Sequence, residues 1–109
     1  MINPYIFPGL ERVMGIANDL DAILSIICRA SGVAKEDILS KSRKREVVAA
    51  RQAYCYYAKQ RTNHSLLVIG DLVDRDHATV IHSINKIEDL IDTKDKMTLE
   101  LIDRVNRLL

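Results

Sequence analysis

Apolar side chains recur at the helical period along almost the whole chain. After Pro8 and Gly9 they fall at Leu10, Val13, Met14, Ala17, Leu20, Ile23, Leu24 and Ile27, the i, i+3, i+4, i+7 stripe of an amphipathic helix that Gly32 can stop. This predicts a helix over residues 10–31, ending at Ser31. Residues 35–39 read as a short helical turn. Residues 40–45 read as a connecting loop or the start of a longer helix. A third helix is predicted over 46–60, with Val47, Ala50, Tyr54, Tyr57 and Ala58 buried and Arg51 and Gln52 near the edge of that face. Thr62, Asn63, His64 and Ser65 are capping residues, and Ser65 can accept from the first amides of a fourth helix over 66–73. Asp74 and Arg75 turn the chain. Asp76 then caps a fifth helix over 77–91 with Val80, Ile84, Ile87 and Ile91 inward, and a sixth covers 98–109 with Leu101, Ile102, Val105, Leu108 and Leu109 apolar. The alternation that marks strands is missing, so the fold class is all-α, a small helical bundle led by a long N-terminal helix.

The fourth and fifth helices are joined by a turn of a few residues, with Ile69 and Leu72 before it and Val80 and Ile84 after it. That is the pattern of a helix-turn-helix over residues 65–91. His77, Ala78 and Thr79 form the first turn of the second helix, and Thr79, His82, Ser83 and Lys86 are predicted on its outer face. Such residues present donors, acceptors or a methyl group without bulky apolar surface, as a helix lying in a DNA groove requires.

Charge sharpens this picture where composition does not. The 109 residues are 48% hydrophobic and 28% charged with a formal net charge of +1, the mix of one soluble globular domain spanning 1–109. The net value hides an uneven distribution, because residues 35–61 hold eight basic and three acidic side chains while 62–109 hold six and nine. Lys41, Arg43, Lys44 and Arg45 crowd into the segment before the third helix. Positive charge so concentrated suits a polyanionic partner, whereas a solvated basic face is the plain alternative. No apolar stretch approaches the roughly 20 residues of a membrane span, and the N-terminus lacks the pattern of an export signal. A cytoplasmic protein without membrane contact is expected, and Cys28 and Cys55 are expected as buried thiols, not as a disulfide.

Other chemistry finds little support. His77 and His82 are five apart, about 140° around a helix, and no cysteine pair has ligand spacing, so no metal site is expected. His82 is expected to pack or hydrogen-bond within the hairpin. Tyr54, Tyr56 and Tyr57 could stack on bases, but Tyr54 and Tyr57 fall on the core side. The acidic residues are scattered, and no nucleophile or phosphate-cradling loop stands out, so an enzyme is not expected.

From Gly32 to Leu109 the sequence resembles the C-terminal DNA-binding domain of the bacterial replication initiator DnaA. The segment DRDHATVIHSINKIE is similar to that family's Gly-Arg-Asp-His-Thr-Thr-Val-x-His-Ala stretch, and DILSKSRKREVVAARQ, AKQRTNHSL and the Ile69-Gly70-Asp71 step fall in register with it. The resemblance implies an all-helical bundle with a helix-turn-helix, related to the Trp repressor, and duplex DNA carrying a DnaA-box-like site as partner, in replication initiation or its regulation. It implies a minor-groove role for Arg43 in a basic loop with Lys44 and Arg45, and backbone and groove-edge contacts for Arg51 and Gln52. Arg75, Asp76, His77, Ala78 and Thr79 would open the recognition helix against bases or phosphates, with Lys86 on a phosphate. Three positions depart from the pattern. Ala78 stands where the first threonine of the pair would be, Asp74 alone replaces a Gly-Gly, and Leu67 replaces a proline. No Gly-x-x-x-x-Gly-Lys-Ser/Thr loop occurs, so neither nucleotide binding nor any other cofactor is expected.

Residues 1–31 lie outside this resemblance. The apolar stripe of their helix exceeds what one neighbouring helix can cover, which predicts an exposed part and, as its simplest partner, a second copy in a homodimer. The competing readings are a stripe folded into the protein's own core, a protein-interaction adaptor for a replication or mobile-element protein, and a ligand-gated dimer of the Trp-repressor kind.

Overall fold

The computed structural model describes residues 8–109, with side chains from residue 19 onward. Six helices follow in order, α1 (Pro8–Ser31), α2 (Lys35–Leu39), α3 (Arg45–Arg61), α4 (Leu66–Asp71), α5 (His77–Asp92) and α6 (Lys96–Leu108), and the described residues contain no strand. The all-α bundle expected from the periodicity is the fold.

Helix α3 is the hub, packed against α1, α2, α4 and α5. Its completely buried Ala50, Ala53 and Ala58 let neighbouring helices approach closely, while Tyr54 fills the space between them. The buried Tyr54 hydroxyl donates to the Ile69 carbonyl at 2.9 Å and pins α4 to α3. Tyr57, also in the core, donates to Asn106 Oδ1 at 2.9 Å and ties α3 to α6. Both tyrosines are core residues, as their spacing predicts.

Leu20, Ile23, Leu24 and Ile27 of α1 are buried in the protein's own core together with Ala30. The expectation of an exposed stripe therefore fails over this stretch. Its premise was a single neighbour, whereas α1 is covered by both α3 and α6. Arg104 of α6 seals the contact by donating from Nε to the Ala30 carbonyl at 2.8 Å, at the C-terminal end of α1. The side chains of Leu10, Val13, Met14 and Ala17 lie outside the described ones.

Several boundaries differ from the sequence reading. Helix α4 stops at Asp71, two residues early, because Leu72, Val73 and Asp74 form the turn. Helix α6 starts two residues before the predicted Thr98, because Asp95 caps it: one carboxylate oxygen accepts from the Thr98 amide at 3.0 Å and from its hydroxyl at 2.8 Å. Ser83 belongs to the buried side of α5, not to its outer face, and its hydroxyl meets the Cys55 thiol. His82 is exposed instead of packed in the hairpin. Cys28 and Cys55 are both free thiols. Burial pushes the Cys55 thiol up to about 11, which leaves it protonated and unreactive at neutral pH.

Candidate nucleic-acid interface

Three hydrogen bonds of two serines shape the basic loop. Ser40 Oγ donates to the Asp37 carbonyl at 2.6 Å and accepts from the Ser42 amide at 3.1 Å, and Ser42 Oγ accepts from the Lys44 amide at 3.3 Å. The loop backbone thereby finds partners without a helix or strand, and Lys41, Arg43 and Lys44 stay exposed. Arg45, at the end of the stretch that reads as a connecting loop or the start of a longer helix, is the first residue of α3, whose N-cap Lys44 offers no side-chain acceptor. The free amides and dipole of that helix end thus add to the basic side chains around it.

Beneath the loop lies Arg51, only 8% exposed. Its Nε donates to the Ile38 carbonyl at 2.8 Å, Nη2 to the carbonyls of Asp37 at 3.3 Å and Ser40 at 3.1 Å, and both terminal nitrogens reach Ser42 at 3.4 Å. A guanidinium with five N–H donors is well matched to such a ring of carbonyls. Burial, and then the neighbouring Arg75 cation, pull its pKa below the usual arginine value. A buried arginine spent on backbone carbonyls builds the loop; direct contact with a nucleic-acid backbone, as the resemblance implies, would have to come from its remaining edge.

The hairpin turn depends on Gly70. Its carbonyl accepts from the Val73 amide at 3.0 Å and the Arg75 amide at 2.9 Å, which draws the Arg75 carbonyl onto the glycine, where a Cβ would overlap it. Asp74 adopts the left-handed conformation with φ 57°, which aspartate tolerates better than most residues. The Arg75 side chain then folds back, donating from Nη1 to the carbonyls of Val73 and Asp74 at 3.0 Å each and from Nη2 to the Ser40 carbonyl.

Asp76 caps α5, with Oδ1 accepting from the Thr79 amide at 2.8 Å. That backbone bond, reinforced by the Thr79 hydroxyl, holds its carboxyl below the usual aspartate range. The second carboxylate oxygen remains an acceptor at the helix start, where His77 and Ala78 are exposed and Thr79 is half-buried.

Two neighbouring recesses gather most of the remaining sequence-predicted residues. One is lined by Lys41, Ser42, Arg43, Arg51, Asp74 and Arg75. The other has Arg43, Arg45, Gln52 and Lys86 along its polar side and Asp95 among its walls. Arg43 stands between them. Asp74 and Asp95, two carboxylates that place negative charge among the basic groups, are not among the sequence-predicted site residues, and nothing in the sequence pattern sets Asp95 apart. Arg45 and Lys86 in turn help keep the Asp95 carboxyl low, after its bonds from Thr98. His77 and Ala78 line neither recess. They sit beside the first one through Arg75, which precedes Asp76 and reaches the loop.

Residues 20–87 match the family model described as bacterial dnaA protein helix-turn-helix. The chain belongs to the bacterial DnaA helix-turn-helix family. Similar curated proteins include the chromosomal replication initiator proteins DnaA of Pseudothermotoga lettingae, 40% identical over 87 residues, and of Brucella abortus, 44% identical over 89, covering 80% and 79% of this chain. The match to the DnaA of Thermotoga petrophila is 30% identical over 105 residues and spans 96% of the chain. The chain covers about a fifth of the length of these relatives. Family similarity reaches back to residue 20, into α1 and ahead of the Gly32 start read from the motifs. The basic loop, the hairpin turn, the first part of α5 and Lys86 fall inside the matched region, which ends at residue 87.

Proposed function

We propose that this chain is a duplex-DNA-binding module that reads a DnaA-box-like site, with the start of α5 in the major groove and the basic loop reaching the adjacent minor groove, in replication initiation or its regulation. The observation that carries this reading is the joining of the two parts: Arg75, at the threshold of α5, hydrogen-bonds the backbone of the loop that holds Arg43 and Lys44. Within this reading Arg43 enters the minor groove, where narrow width favours arginine. Asp76, His77, Ala78 and Thr79 face base edges, and Gln52 and Lys86 meet the backbone. Arg45 adds positive charge beside them. The adaptor reading rested on an apolar face of α1, and the part of that face from Leu20 to Ile27 is occupied by the protein's own core.

Selection from a pool of random duplexes tests the proposal. Enrichment of one short motif is expected, and its loss of preference over random DNA in His77→Ala should amount to about 1–3 kcal/mol per base contact. Lys86→Ala should weaken preferred and random sequences alike. A pool that emerges unenriched would reject sequence-specific binding.

A further inference from the structure

The loop and the hairpin turn, 35 residues apart in sequence, meet at one atom. The Ser40 carbonyl oxygen accepts from Arg51 Nη2 at 3.1 Å and from Arg75 Nη2, which uses both of its lone pairs. Arg75 holds its own turn at the same time, through the carbonyls of Val73 and Asp74. Its guanidinium therefore bridges the segment that opens α5 and the segment that carries Arg43. We propose that Arg75 is a positioning residue that fixes the basic loop relative to the recognition helix, setting the offset between the minor-groove and major-groove contacts.

The geometry favours this role over a phosphate contact. Three of the bonds available to Arg75 go to backbone carbonyls, and the residue is half-buried, unlike the exposed Arg43, Lys44 and Lys86. The fork is what the position uses. Nη1 and Nη2 diverge to carbonyls on two separate segments, which a lysine ammonium, a single point of charge on a flexible stem, does not reproduce. Arg51 completes the device from below by holding four carbonyls of residues 37–42. The bridge brings two guanidinium cations close together, and their mutual repulsion contributes to the lowered pKa of Arg51. Compensation comes from the carbonyl dipoles crowded around them.

The proposal rests on the DNA reading above, and its test has an arm that does not. In the free protein, amide hydrogen exchange should quicken roughly tenfold or more at Ser42 and Lys44 in both Arg75→Lys and Arg75→Gln, the equivalent of losing one hydrogen bond to a charged group. The Val80 amide, inside α5, should keep its rate. On DNA, Arg75→Lys should weaken binding in the wild-type background but cost little in an Arg43→Ala background, because a misplaced loop matters only while Arg43 is there to be misplaced. Unchanged exchange at Ser42 and Lys44 would overturn the proposal, as would full additivity with Arg43→Ala. Absence of DNA binding by the unsubstituted chain would reject the DNA reading, while the exchange arm still decides whether Arg75 holds the loop.

Discussion

Gly70 is the residue on which the hairpin turn closes. In an open helix, alanine in place of glycine gains up to about 1 kcal/mol. Here the new Cβ would overlap the Arg75 carbonyl oxygen and press on Val80 Cγ2. Gly70→Ala should therefore lower stability by about 1–3 kcal/mol in a denaturant titration, the usual cost of overpacking, and a gain would show that the turn can move aside. Tyr54→Phe tests a different kind of bond. The hydroxyl serves a carbonyl in the last turn of α4, where helices leave carbonyls without intrahelical partners, and its loss should cost about 1–2 kcal/mol with the fold retained. In the proposed DNA complex Ala78 bears on specificity and little on stability, because it is exposed at the start of α5. Ala78→Thr should change which duplexes are preferred while leaving the melting temperature nearly unchanged, as comparative binding-site selection and thermal denaturation would show.

Among the elements, α5 and α6 share one device, an aspartate whose carboxylate accepts from the residue three positions on. The carboxyls of Asp76 and Asp95 are both held below their ordinary value by these bonds. A group whose folded pKa is depressed contributes its stability in full above its unfolded pKa, about 3.9, and loses it as pH falls through the lower folded value. The melting temperature should therefore drop as pH is lowered below about 4, and Asp95→Asn, which still caps but does not titrate, should flatten part of that drop. The caps of α4 and α5 were legible in the sequence, because Ser65 and Asp76 each stand directly before an apolar stripe. The cap of α6 was not. Lys94 takes the left-handed conformation with φ 58° just before Asp95, a break that no glycine announces, and the polar Lys96 follows the cap directly. The periodicity gives α3 one apolar face, yet Ala53 and Cys55 are buried as well, because four helices surround it. Arg51, expected near the edge of the buried face, is itself buried. Its carbonyl partners were invisible because they lie 9 to 14 residues away, on a loop whose path only the folded chain defines.

At the scale of the whole molecule, a formal net charge of +1 is compatible with binding a polyanion because the charge is segregated. The basic groups collect at the loop and the N-terminus of α3, next to the start of α5, while the far half of α5 carries Glu88, Asp89 and Asp92. Asp74 and Asp95 temper that surface from inside its two recesses. In the proposed function this surface binds duplex DNA largely through phosphates. Fluorescence anisotropy with a labelled duplex, repeated from low to moderate salt, tests it most directly. With about four to six phosphates neutralised, log affinity should fall against log salt with a slope of roughly −4 to −5. A flat dependence, or no binding at low salt, would contradict binding through phosphates.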